Sequence, residues 1–185
     1  MIMKTRKPNL GALAALGLLG ALTAGAQPVI PNPGFEADTF TVFPGYVSGN
    51  TPITGWSSLG NHGLNPANGS PFADNGVIPD GIKTAFMQGD GALSQTVSGF
   101  SIGAQYYVVY YENARSGGIP AVQVQIGGNT IVPTHSRSPV GGSNPYVLMT
   151  SDPFIATGTD LLLSFIKSNP NGGDTTALKR TSVAP

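Results

Sequence analysis

The chain has 185 residues, nine Lys plus Arg against nine Asp plus Glu, and a formal net charge of zero. With only 10% of residues charged and no basic run beyond the first seven positions, it lacks the phosphate-neutralising surface that nucleic acid requires, so no nucleic-acid partner is expected. Cysteine is absent, which excludes disulfides and thiolate zinc sites, while 26 Gly and 16 Pro beside 40% apolar residues describe a turn-rich β chain with a core rather than a disordered one.

At the start, Lys4, Arg6 and Lys7 precede an uncharged stretch from Leu10 to Leu22 that runs into Ala24-Gly25-Ala26. A basic head, a short apolar core and a small-x-small site read as a cleaved secretory signal peptide over residues 1–26, so a secreted, extracellular or cell-surface location is expected. The apolar core is shorter than the ~20 residues that cross a bilayer, and no later segment is longer, so no membrane span is expected. Residues 27–185 then form one domain, since a chain of roughly 150 residues buries most of the surface it exposes when unfolded.

Beyond Gln27 apolar residues recur with period two and seldom with period 3.6, between clusters of Gly, Pro and Asn. In chain order the spacing predicts strands over Thr39–Phe43, Ile53–Ser57, Thr84–Gln88, Ala92–Ser98, Gln105–Arg115, Ala121–Ile126, Thr130–Pro133, Tyr146–Ala156, Leu161–Ser168 and Thr176–Val183. Gly60–Gly81, rich in Gly, Pro and Asn, reads as one long loop, and such loops are usually functional or mobile. Gly127-Gly128 between two alternating runs reads as a hairpin turn, because glycine accepts positive φ at both central positions. So many strands without helices imply an all-β fold, a two-sheet antiparallel sandwich or a barrel.

Asn32 to Asp38 with its Asn32-Pro33-Gly34-Phe35-Glu36, Ile53-Thr54-Gly55-Trp56, Ser70 to Gly81, the run Ala85 to Gly89 into Leu93 to Val97, Tyr106 to Gly117, and Gly172-Gly173-Asp174 follow one another in order. In this the chain resembles secreted bacterial domains of the galactose-binding-like jelly-roll family, similar to carbohydrate-binding modules and often followed by a sorting tail. No such tail follows Pro185 in this sequence, which leaves open a natural end or a longer protein. The resemblance implies that Glu36 helps to hold a structural calcium ion together with an Asp of the last strand. That strand departs from the pattern: it reads Leu178-Lys179-Arg180-Thr181-Ser182-Val183, and two cations stand where hard oxygen ligands belong. The alternative for Glu36 is a salt bridge to one of them, and Asp174 remains an unplaced ligand.

Strand alternation in Gln105–Arg115 sends Tyr106, Val108 and Tyr110 to one face and Tyr107, Tyr111, Asn113 and Arg115 to the other. The resemblance implies that the first set faces the core and the second lines an outer, concave sheet. There Tyr rings offer apolar area with a polar handle for a pyranose face, while Asn113 and Arg115 offer donors for hydroxyls. A partly covered face whose Arg115 pairs with a carboxylate is the plainer reading. Trp56, the lone tryptophan, reads as a core plug rather than a stacking platform. Asp74, Asp80 and Asp90, with Asn75, read as turn formers more than as ligands of a cation.

Gly99-Phe100-Ser101-Ile102-Gly103 matches G-x-S-x-G, with His135 as a nominal base, but a nucleophile elbow needs a helix after it and a Tyr-rich strand follows instead. His62 and His135 stand in no ligand cluster that would suggest zinc. Glu112 falls in the core-side register near a strand end, where pairing with a cation is open to it, and Asn68-Gly69-Ser70 is a formal glycosylation sequon. The expectation is a secreted, non-catalytic carbohydrate-binding module with an extracellular glycan as partner. A structural or adhesive module is the alternative, and a small serine hydrolase the weaker one.

Overall fold

In the computed structural model, residues 27–39, 46–47, 53–66, 76–115, 119–138, 144–168 and 175–185 are described. The expected signal peptide, most of the strand expected at Thr39–Phe43, the sequon, Asp74, Asn75 and Asp174 lie outside them, as does the side chain of Arg180. The described residues contain no helix, hence none long and apolar enough to cross a membrane.

Among the described residues ten strands occur in the order β1 (Tyr46–Val47), β2 (Ser57–Pro66), β3 (Lys83–Ser98), β4 (Gln105–Ala114), β5 (Ala121–Ile126), β6 (Asn129–Ser136), β7 (Val147–Thr150), β8 (Phe154–Ile155), β9 (Asp160–Ser168) and β10 (Thr175–Ala184). Every strand pair is antiparallel, in the order β6-β5-β9-β3-β10-β4-β7, with β2 on β3, β1 on β2 and β8 on β4. One long strand turns this continuous ladder into a sandwich. Thr84 to Gln88 take part in the sheet of β10 and β4, whereas Gly91 to Ser98 pair with β9 in the sheet that continues to β5 and β6.

Two strands therefore fold over together, and glycine permits it. Gly60 has φ +75°, and a Cβ there would lie 2.2 Å from the Asp90 carbonyl oxygen; a Cβ on Gly91 would lie 2.5 Å from that of Leu59. The strand register slips at the same place, between Leu59 and Asn61. The result is a two-sheet antiparallel jelly roll.

Inward residues of both sheets fill the space between them: Ala85, Leu93 and Val97 of β3, Val108 and Tyr110 of β4, Val124 and Ile126 of β5, Leu163 and Phe165 of β9, Leu178 of β10. Tyr110 and Phe165 meet edge to face at 4.9 Å across the sandwich. Trp56 is a core residue as expected, packed on Phe35 at 5.1 Å and Phe165 at 6.1 Å, with its indole N–H donated to the Asn32 carbonyl at 3.2 Å. Each such ring contributes about 1.5–3 kcal/mol by leaving water.

Three expectations need correction. Gly60–Gly81 is not one loop, because β2 continues to Pro66 with His62 and Leu64 buried in the alternation. Ile53 to Trp56 is instead a turn, closed by the Trp56 N–H on the Ile53 carbonyl at 2.8 Å with Gly55 at φ +81°. The run Tyr146–Ala156 splits into β7 and β8, since Pro153 has no N–H to continue a ladder. The Gly127-Gly128 hairpin is as expected, both residues at positive φ and Ile126 opposite Asn129.

Candidate functional site

Directly opposed residues of antiparallel strands share a face, so the registers assemble the outer surface of the β4 sheet row by row. Leu64, Ala85 and Leu178 line up on the core side. On the opposite side, Asn65 faces Thr84; Gly63 faces Phe86, which faces Ala177 and then Asn113; Lys179 faces Tyr111, which faces Leu148. Asn61 opposes Gln88 at the far end of the same face.

The structure thus brings Tyr107, Tyr111 and Asn113 to one face of β4, with Arg115 just past the strand end at Ala114, but not as an open strip. Tyr107, Tyr111 and Arg115 are half-buried, whereas Asn113 is 0% exposed. The Tyr107 hydroxyl accepts from the Gln105 amide at 2.9 Å. Tyr111 lies between the register positions of Lys179 and the exposed Leu148. Sequence reasoning missed Phe86 and Asn65, which complete this face. Asn65 sat inside the supposed loop, and the inward alternation of His62 and Leu64 was the signal that could have placed it.

Beside this face the N-terminal turn builds an ionic knot. Asn32 and Phe35 adopt positive φ, 46° and 61°, which curls Pro33 to Glu36 back over β10, where the Thr181 N–H bonds the Pro33 carbonyl at 2.9 Å. Lys179 is fully buried and donates to the Gly34 carbonyl at 2.5 Å and to Glu36 Oε1, with Asp80 Oδ1 at 3.6 Å. Glu36 Oε1 also accepts the N–H groups of Ile82 and Lys83 at 3.0 Å, and Lys83 Nζ donates to the Glu36 carbonyl at 2.9 Å. Burial pushes the Glu36 carboxyl up, but the bonds from Lys179, Lys83 and Ile82 outweigh it and hold the group below the ordinary carboxylate value. A Cβ on Gly81 would lie 2.2 Å from Glu36 Oε1, so only glycine closes this cradle. Glu36 Oε1 and the Gly34 and Glu36 carbonyls are committed to the ammonium groups of Lys179 and Lys83, and a site with two cations inside it does not fit a divalent ion.

A second cluster lies between the sheets. Glu112 is buried on the core side of β4, where Oε1 accepts from Arg137 Nε at 3.1 Å and meets His135 Nε2 at 2.8 Å. Arg137 also reaches the Met149 sulfur, and the Asp152 N–H bonds the Ile131 carbonyl at 2.9 Å. These contacts lace β6, one end of the ladder, to the β4–β7 end and close the open side of the sandwich. Burial raises the Glu112 pKa, but the His135 and Arg137 bonds outweigh it and the net shift is downward. His135 is raised, chiefly by its bond to Glu112. Burial and the adjacent Glu112 charge push the Tyr110 hydroxyl far up.

Both His135 nitrogens are engaged, Nδ1 facing the Pro133 carbonyl at 3.2 Å, while Ser101 lies in the exposed turn before β4 with its backbone N–H on the Tyr106 hydroxyl. His62 is buried between Ser58 Oγ at 2.8 Å and the Gly60 carbonyl at 2.9 Å. A groove of about 350 Å³ runs between Gln27 to Ile30 and Thr181 to Val183.

No protein-family model matches the chain, and no curated protein matches its sequence. Among solved structures it is similar to TmCBM61 in complex with β-1,4-galactotriose, with TM-score 0.52 and 16% identity over 86% of this chain and 99% of that one. It is similar also to the arabinose-bound MgGH51 α-L-arabinofuranosidase, with TM-score 0.51 and 15% identity over 87% of this chain and 27% of the other. A family 35 carbohydrate binding module from Clostridium thermocellum gives TM-score 0.48 and 10% identity over 75% and 95% of the two chains. At these identities the likeness establishes the fold, a jelly roll shared with carbohydrate-binding modules.

Proposed function

We propose that the chain is a secreted, non-catalytic carbohydrate-binding module that acts at a cell surface or in an extracellular matrix once residues 1–26 are removed. The observation that carries this reading is the outer face of the β4 sheet, where Tyr107, Tyr111 and Arg115 stand half-buried in alternation with the core residues. A half-buried Tyr ring is held in position by its neighbours yet keeps a face for an amphipathic sugar ring, and Arg115 brings planar donors for hydroxyls. Asn113, wholly buried, acts in this reading as a support beneath the contact surface. The galactotriose carried by the TmCBM61 neighbour supports a hexose polymer as the class of partner.

The non-catalytic part of the proposal is supported by His135, whose ring is committed to Glu112 and the Pro133 carbonyl and is not directed to a serine. Glycan-array binding of the mature chain tests the proposal. Tyr111→Ala is expected to remove most of the detectable signal, because an aromatic contact contributes ~0.5–1.5 kcal/mol beyond its buried area and open-face binding is weak to begin with. Ser101→Ala is expected to bind like the parent. Equal binding by the Tyr111 variant would place recognition elsewhere.

A further inference from the structure

One residue of the outer face is left in a state that the β4 tyrosines do not account for. Asn65 of β2 is 1% exposed, and neither its Oδ1 nor its Nδ2 has a hydrogen-bond partner among the described residues. A buried donor and acceptor left unmade are costly, and a native fold keeps them for a reason. Gln95 is the other side-chain amide with both atoms unmet, but it alternates inward between Leu93 and Val97 and belongs to the core; Asn113, on the outer face, is on the same footing only for its Nδ2.

The neighbours of Asn65 say what it could read. Along β2 the outward residues are Asn61, Gly63 and Asn65, opposite Gln88, Phe86 and Thr84 of β3. Asn61 is exposed, Gln88 half-buried and Asn65 buried, so this track is open at one end and shielded at the other. In the middle, Gly63 sets no side chain beside Phe86, and both are buried, as is Thr84 beneath the Tyr146 hydroxyl, so the track meets solvent at Asn61 and Gln88. Every polar group on the track is an amide or a hydroxyl, and the nearest cation of this face, Lys179, is neutralised by Glu36. An amide offers one acceptor and two donors, which match adjacent sugar hydroxyls that both donate and accept; a carboxylate, acceptor only, would leave Asn65 Oδ1 facing lone pairs.

We infer that Asn65 is a binding residue for a neutral sugar unit, the blind end of a track along β2 and β3 that enters over Asn61 and Gln88. This rests on the carbohydrate-binding reading above and assigns that site a neutral rather than a uronic-acid ligand.

The test titrates the mature chain with a neutral β-1,4-galactan and with polygalacturonate, and compares Asn65→Leu and the exposed-position variant Asn61→Ala, with melting temperature measured alongside. The parent is expected to prefer the neutral polymer. Asn65→Leu is expected to weaken that binding at least tenfold while its melting temperature holds or rises, since the unpaired amide has gone; Asn61→Ala is expected to weaken it several-fold without touching the fold. If an ordered water merely satisfies the amide, Asn65→Leu melts lower and binds like the parent, and the inference falls. A preference for polygalacturonate, or parent-like binding by both variants, overturns it while leaving carbohydrate binding intact. A parent that binds no glycan removes the broader reading and this inference with it.

Discussion

The two ionic clusters of this fold are opposites in what they hide. At the N-terminal turn the cation is buried, Lys179 at 0% exposed, and its carboxylate partner Glu36 is 38% exposed. Between the sheets the anion is buried, Glu112 at 1%, and its partners His135 and Arg137 keep 23% and 29% exposure. Removing an exposed partner strands a buried charge, which is far more costly than removing the buried charge and returning its partner to water. The fold should therefore tolerate loss of Lys179 better than loss of Glu36.

Glu36→Ala is expected to have the largest effect, toward the lower end of the roughly 3–5 kcal/mol cost of a broken buried pair, because the Gly34 carbonyl and Asp80 still face the ammonium. Lys179→Met, which keeps the packed stem and leaves Glu36 its two backbone N–H donors, is expected to cost less than half as much by urea denaturation. The reverse order would mean that Lys179 is held by packing alone.

In the second cluster, Arg137→Ala removes one charge-assisted bond and leaves His135 in place, so a loss of ~1.5–2 kcal/mol is expected in the same assay. A loss below measurement would show that β6 does not need this lacing to stay on the β4–β7 end.

pH separates the clusters most finely. The folded His135 pKa is raised above the ordinary imidazole value of 6.5, so its contribution is full below about 6.5 and is lost as pH rises through the higher folded value. Glu112 and Glu36 are depressed below 4.5, so theirs are present above that value and fade as pH falls through the lower folded ones. Stability is expected to be level between these limits and to decline on both sides. His135→Gln should abolish the alkaline decline and leave the acid one; a persistent alkaline decline in that variant would assign it to another group.

The same contrast explains what the sequence could tell. The Glu36–Lys179 pair is legible there, because a lysine stands at a last-strand position where the resemblance expects a carboxylate. The strands of the second sheet are legible for a local reason too, since Ala121–Ile126 alternates apolar with polar residues and Leu161–Ser168 is a short apolar run of strand length. Glu112 could be seen to be open to a cation, but not that His135 and Arg137 would supply it, because β6 meets the β4–β7 end only after β3 has carried the ladder from one sheet to the other. Asn65 was hidden by composition: β2 holds Gly60, Asn61, Gly63, Asn65 and Pro66, the residues of a loop, and is a strand because β3 offers it nine paired positions rather than by propensity.

Amide chemical-shift mapping of the mature chain with a neutral glycan that it binds tests the placement of recognition most directly. Perturbations centred on Asn61 to Asn65, Phe86, Tyr111 and Asn113 are the predicted result. Shifts confined to Gln27–Ile30 and Thr181–Val183, the residues of the separate groove, would contradict it.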